Sequence, residues 1–194
     1  MSTNDTYLGD AGENHEIADF DGGNDVFIGF GGNDSFVGGG GDDFVVGGAG
    51  NDRLTGGAGD DILMAGTGND YLGGGTGSDL LLGLLGDNKL NGGVGEDLLV
   101  AGSGDNILIG GSGADKFIFT DKFEGHGEAK VVDFTIGEDS LHIISDSVTS
   151  FSDLTISYDA KGNAVFTDGA ELTVKLIGVT QEDINTYGSD LFII

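Results

Sequence analysis

Residues Phe20 to Ile118 form eleven consecutive rows of nine, without an insertion or deletion. One row reads GGAGNDRLT (Gly47 to Thr55) and the next GGAGDDILM (Gly56 to Met64). The pattern G-G-x-G-x-D-x-U-x, with U a large apolar residue, fixes both a period and the residue types, and few folds satisfy both. Column four is Gly in every row, which marks a tight turn whose backbone needs positive φ. Column eight is apolar in every row, from Phe27, Phe36 and Val45 to Phe117, and reads as the inward side chain of a short x-U-x strand. Turn, strand, turn, strand makes a flattened coil of about eighteen residues, two rows each. Stacked coils then give two parallel sheets around a thin apolar core.

Column six carries the chemistry. It is Asp25, Asp34, Asp43, Asp52, Asp61, Asp70, Asp79, Asp97 and Asp115, with Asn88 and Asn106 in the two remaining rows. Stacking sets Asp above Asp along each edge, once every two rows. Bare carboxylates in registry at about 5 Å repel one another, so a cation is expected between turns. With no Cys and only three scattered His, the available donors are oxygens, which suit a hard cation. Calcium accepts six to eight oxygens in irregular geometry, backbone carbonyls included, and fits better than magnesium.

These rows resemble the RTX (repeats-in-toxin) family of bacterial type I secretion substrates. The resemblance implies an all-β fold: a calcium-bound parallel β-roll, that is, a nonapeptide-repeat solenoid, with a short N-terminal cap and a C-terminal β-rich cap and secretion region. In that family each ion lies between two turns of one edge. It is held by the column-six carboxylates of both turns and by carbonyls from columns two and four of one turn and one and three of the other. By that resemblance the carbonyl donors here are Gly23, Gly39, Gly41, Gly48, Gly50, Gly57, Gly59, Gly66, Gly68, Gly75, Gly77, Gly93 and Gly95.

The two edges differ. Odd rows set Asp25, Asp43, Asp61, Asp79, Asp97 and Asp115 on one edge, and all five gaps are flanked by Asp. Even rows set Asp34, Asp52, Asp70, Asn88 and Asn106 on the other, where only the first two gaps are. About seven well-formed calcium sites and up to two weaker ones are expected. Row eight departs furthest, with Leu84 and Leu85 at turn positions and Asn88 in place of Asp.

A net charge of −27, from 34 acidic and 7 basic residues, argues against nucleic acid as a partner and opposes compaction unless cations bind. Forty glycines without proline, in a period of nine, exclude collagen. No run of eighteen apolar residues is present, so no helical membrane span is expected. The first residues, MSTNDTYLGDAGENHEIAD, lack a basic region and an apolar core, so no N-terminal signal peptide is expected. No H-E-x-x-H or G-x-S-x-G occurs, and His15, His126 and His142 share no ligand spacing, so the chain reads as a non-enzyme.

The chain divides into an N-terminal cap (1–19, with Gly9, Gly12 and Asn14 near turn positions), the roll (20–118) and a C-terminal β cap with a type I secretion signal (119–194). Within the cap, 121–128 reads as turn-like and AKVVDFTIGEDSLHI as two strands around Gly137. The Asp133, Phe134, Gly137, Asp139 and Leu141 positions resemble the family's post-roll segment. There Asp133 or Asp139 either closes a terminal calcium site or serves as a turn residue. Residues 153–178 alternate as antiparallel strands turning at Lys161-Gly162-Asn163 and Asp168-Gly169; Gln181 to Tyr187 reads as a helical turn, and SDLFII as a final strand or an export motif.

Outward columns seven and nine are almost wholly apolar in odd rows (Val26, Ile28, Phe44, Val46, Ile62, Met64, Leu80, Leu82, Leu98, Val100) and mixed in even rows. Such a face exceeds what a soluble monomer normally exposes. It is expected to be covered, by the chain's own C-terminal segment or by a second copy in a homo-oligomer. Together these features predict a secreted calcium-binding protein, extracellular or at the cell surface, exported by a type I exporter and folding on extracellular calcium. It is either structural and adhesive, or a freely released accessory or signalling protein in which the roll is an export and folding module.

Overall fold

Each row forms a strand at columns seven to nine. In most rows that strand runs on into columns one to three of the next, six residues where the pattern predicts three. The extension arises because the column-two and column-three backbones pair as well, as in Gly57↔Gly75 and Ala58↔Thr76. The computed structural model describes residues 4–12, 17–18, 22–120, 127–146, 148–169 and 172–193. Asn14, His15, the 121–126 segment with His126, and Ile194 lie outside the described residues.

In chain order the strands are β1 (Thr6–Leu8), β2 (Ile17–Ala18), β3 (Val26–Ile28), β4 (Ser35–Gly40), β5 (Phe44–Ala49), β6 (Arg53–Ala58), β7 (Ile62–Thr67), β8 (Tyr71–Thr76), β9 (Leu80–Leu85) and β10 (Lys89–Val94). They continue as β11 (Leu98–Val100), β12 (Ile107–Ser112), β13 (Lys116–Thr120), β14 (Glu128–Val131), β15 (Ser140–Ile144), β16 (Thr155–Tyr158), β17 (Ala164–Thr167), β18 (Thr173–Leu176) and β19 (Phe192–Ile193), with helix α1 (Gln181–Tyr187) before the last. One sheet has the order β1-β3-β5-β7-β9-β11-β13-β15-β19 and the other β16-β17-β18-β14-β12-β10-β8-β6-β4-β2. Odd and even rows thus segregate into two parallel sheets, a β-solenoid as the repeat predicts.

All eleven column-eight side chains, Phe27 to Phe117, are fully buried between the sheets. Each such Leu or Phe contributes about 1.5–3 kcal/mol relative to exposure. Both sheets continue past the repeat. Strands β1 and β2 extend them at the N-terminal end, and β14, β15, β18 and β19 at the other, all in parallel register. The nine-residue period stops at Ile118, but the winding does not. The two strands around Gly137 fall in opposite sheets and make one further coil. Strands β16, β17 and β18 form the expected antiparallel meander, with Gly162 and Gly169 at positive φ in its turns. Helix α1 begins at Thr180, whose hydroxyl and Asp183 form a reciprocal cap. Phe166 and Phe192 pack edge-on at 4.8 Å and seal this end of the core.

The C-terminal strands join the sheets end-on, which corrects the expectation that this segment packs over the apolar outer face. Strand β13 offers a free edge to β15, and β15 one to β19, so sheet extension satisfies more backbone groups than a face-on layer would. Phe44 and Ile62 on that face are exposed and their neighbours half-buried. The even sheet's outer face is mixed, as expected: the Arg53 guanidinium lies 4.4 Å above the Tyr71 ring, with the Lys89 ammonium at 5.8 Å.

Positive φ is needed in column two as well as column four. Gly57 sits at φ +129 with the Gly39 backbone against the side where a Cβ would project. Phe30 and Leu84 hold the same column-two position as non-glycine residues, at φ 67 and 59. A left-handed non-glycine residue costs roughly 1–2 kcal/mol. Phe30 is 57% exposed and loses little packing on truncation. Urea unfolding in excess calcium is expected to show Phe30→Gly more stable by up to about 1 kcal/mol, after the flexibility of Gly is subtracted. Gly57→Ala is expected to be less stable by more than about 1 kcal/mol.

Candidate metal centre

Strand and turn geometry drive the column-six carboxylates inward: all nine Asp and both Asn are at most 4% exposed. One oxygen of nearly every one is shown committed to the backbone. Asp25 N–H donates to Asp43 Oδ1, Asp43 to Asp61, Asp61 to Asp79 and Asp79 to Asp97, each at 2.8 Å, and Asp97 to Asp115 at 3.0 Å. The even edge repeats this from Asp34 to Asp52 (2.8 Å), Asp70 (2.7 Å), Asn88 (2.9 Å) and Asn106 (3.0 Å). The two edges are therefore ladders of side-chain-to-backbone bonds stepping 18 residues at a time.

The second oxygen is different. Oδ2 of Asp52, Asp61, Asp70, Asp79, Asp97 and Asp115 is buried and accepts no hydrogen bond from the described residues. A buried carboxylate oxygen left so is costly. Its surroundings are acceptors. A Cβ built on Gly74 would strike Asp79 Oδ2 and lie 2.7 Å from Gly92 O; one on Gly92 would strike Asp97 Oδ2 and lie 2.7 Å from Gly110 O. Column one is thus a cradle between a carboxylate and the column-one carbonyl of the next turn on that edge. The carbonyls of Gly39, Gly48, Gly57 and Gly75 in column two, and of Gly23, Gly41, Gly50, Gly59, Gly68 and Gly77 in column four, point at the same column of that next turn. These carbonyls thus face the adjoining coil of the same edge. Among the described residues no three His, Cys, Asp or Glu side chains converge, so a cation in these gaps would draw its remaining ligands from carbonyls. Buried carboxylate oxygens without a donor, set beside carbonyl oxygens, fit a hard divalent cation such as calcium.

Electrostatics agree with the geometry. Burial first, then the charges of Asp79, Asp43 and Asp42, push the Asp61 carboxyl up to about 7 despite the N–H of Asp43. Asp115 rises to about 7 by burial and then the charges of Asp139, Asp97 and Asp133. Burial also lifts Asp52 and Asp79 to about 6.

The asparagines behave otherwise. Asn88 Nδ2 donates to Gly83 O (2.8 Å) and Gly86 O (3.1 Å), and Asn106 Nδ2 to Gly102 O (3.3 Å), Ser103 O (3.1 Å) and Gly104 O (3.1 Å). Of the post-roll carboxylates, Asp139 accepts from the N–H of Asp115 (2.9 Å) and Thr135 (2.7 Å), and Asp133 from Gly110 (3.0 Å) and Gly111 (2.9 Å). Both act as turn and cap residues. His142 lies in β15 beside Ser140, and burial followed by the charge of Lys116 holds its imidazole below the usual range.

A second ladder escaped the sequence reading. Column-five side chains bond in the opposite direction: Asp42 N–H donates back to Asn24 Oδ1 (2.9 Å), Asp60 to Asp42 (2.9 Å) and Ser78 to Asp60 (2.7 Å). On the even edge the chain runs from Asn33 through Asn51, Asn69, Asp87 and Asp105 to Glu128. The signal was present, since column five is Asn, Asp, Ser or Glu in every row except that of Ala114.

A family model described as the RTX calcium-binding nonapeptide repeat (4 copies) matches residues 21–45, 37–72, 46–81, 73–108 and 82–117. No curated protein matches. Among solved structures, the extracellular lipase LipA from Serratia marcescens is similar at 20% identity and a TM-score of 0.41, over 84% of this chain and 40% of that one. This chain therefore spans well under half of the lipase's length.

The raised carboxyls set a pH dependence. Each binds its proton more firmly folded than unfolded, where the reference is 3.8. Without calcium, their contribution to stability is full below about pH 4 and is lost as pH rises through 6 to 7. In chelator, circular dichroism is expected to show more β structure at pH 5 than at pH 8. Equal signals would mean that ionised carboxylates do not oppose folding.

Proposed function

The chain belongs to the family of RTX calcium-binding nonapeptide repeats, and from that premise we propose that it is a secreted β-roll whose folding is switched on by extracellular calcium. The observation that carries this reading is the row of buried carboxylate oxygens facing backbone carbonyls with no donor between them. Calcium bound there supplies the positive charge that makes such a lining favourable. The chain's own part is to place two acidic edges in registry and to bury them only when the turns stack.

At cytosolic calcium the carboxylates repel, and a chain of net charge −27 stays open, which suits passage through a type I exporter. Outside, millimolar calcium exceeds the roughly 10⁻⁴–10⁻³ M affinities of extracellular modules, and ions that bind only the folded state stabilise it. About seven ions, five on the odd edge and two on the even, would offset roughly half the charge. In this reading residues 1–19 cap the roll, 20–118 form it, and 119–194 close it and carry the export signal.

The exposed apolar face of the odd sheet favours a structural or adhesive role through self-association. A freely released accessory protein is the alternative. No catalytic constellation enters either reading.

A calcium titration followed by circular dichroism tests the folding switch. A cooperative coil-to-β transition at sub-millimolar to millimolar calcium, absent with magnesium, is expected. A chain fully folded in chelator would sink the switch. Light scattering in calcium tests the face: Leu80, Leu82 and Leu98 changed together to Ser are expected to lower the apparent mass to that of a monomer without shifting the calcium midpoint. A wild-type chain that is already monomeric would favour the released protein.

A further inference from the structure

The even edge changes character at row eight. Asp52 presents two oxygens, one taken by the backbone N–H of Asp34 and one facing the Ala65 carbonyl. At Asn88 and Asn106 the first oxygen is kept, since Asp70 N–H and Asn88 N–H still donate to Oδ1 of the next Asn. The second is replaced by an amide nitrogen that donates to carbonyls of its own turn. The orientation of each amide is set by these partners. Reversed, Asn106 would put a carbonyl oxygen against three carbonyls and an N–H₂ against a backbone N–H.

The carbonyls so engaged belong to column one and column four in row eight, and to columns two, three and four in row ten. In the Asp turns these columns line the gaps between coils. The cradle also opens. The atoms nearest a Cβ on Gly83 are Asn88 Nδ2, Gly102 N and Val100 O, all at 3.4 Å, whereas on Gly74 and Gly92 that position runs into a carboxylate oxygen. Two of the three are nitrogens, so the lining no longer suits a cation.

We propose that Asn88 and Asn106 are built-in replacements for calcium: their amides satisfy the turn carbonyls, the even edge takes no ion beyond Asp70, and two adjacent turns beside the C-terminal cap are held without metal. An N–H₂ group supplies the partial positive charge that carbonyls otherwise draw from a cation, and a neutral side chain removes the repulsion that makes a cation necessary. The two edges then respond differently to calcium. The odd edge depends on ions along its whole length, and the even edge only over its first half. The inference rests on the calcium reading above, and its test separates the two.

The measurement is the number of calcium ions bound per folded chain, by native mass spectrometry, with circular dichroism in chelator as a second readout. Asn88→Asp/Asn106→Asp is expected to bind one or two more ions than the wild type and to retain less β structure in chelator. Asp52→Asn is expected to do the reverse, losing at least one ion while retaining more β structure in chelator. An unchanged ion count in the Asn→Asp variant, or a wild-type count that fills all nine gaps, would overturn the proposal and leave the calcium reading standing. A wild-type chain that binds no calcium would overturn both. Should the double variant fail to fold in calcium, Asn106→Asp alone and Asp52→Asn decide by the same count.

Discussion

The whole structure depends on a carboxylate divided between two tasks. One oxygen accepts a backbone N–H from the neighbouring coil and locks the vertical register; the other is buried against carbonyls. The first task is a structural hydrogen bond to a charged group, worth roughly 1.5–3 kcal/mol. The second is a liability that a cation converts into a ligand set. A polar or aliphatic residue in column six would lose one or both. This coupling lets two acidic edges flank a thin apolar core in a chain of net charge −27.

Vertical register, not loop length, is what the fold conserves along its axis. Within the repeat the ladder steps 18 residues. At the N-terminal end Asp5 N–H reaches Asp25 Oδ1 across 20 residues, and at the C-terminal end Asp115 N–H reaches Asp139 Oδ1 across 24. The coil thus lengthens at both ends while the contact is kept. The column-five ladder, with its opposite direction, braces the same turns from outside. With both ladders present, sliding one coil against the next in either direction breaks bonds.

The cap closes the solenoid by the same logic with different means. Strands β14 and β15 add another coil, one to each sheet. Phe151 just ahead of the meander, Phe166 within it and Phe192 in β19 then supply aromatic bulk where the repeat would leave its core open. Asp133 and Asp139 there accept backbone N–H groups with both of their oxygens.

By itself, the sequence determined the roll. Gly in column four, Asp in column six and an apolar residue in column eight, recurring every nine residues, dictate turn, edge and core. A strict period admits one local conformation repeated, so parity decides the sheet of every strand from β3 to β13. The meander and the helix near the C-terminus were legible for the ordinary reasons of alternation, turn residues and a capping Thr180. Tertiary structure alone decided what lies across coils. The pattern says that Asp25 and Asp43 stack, but not that one oxygen of Asp43 bonds to the backbone while the other faces carbonyls. Nor does it say that the Asn88 and Asn106 amides turn toward those carbonyls, that column five forms a counter-ladder, or that the last strands extend the sheets end-on instead of lying over the apolar face. Those outcomes depend on contacts between residues 18 to 24 apart, where bond direction is set by the neighbouring coil and not by the residue's own row.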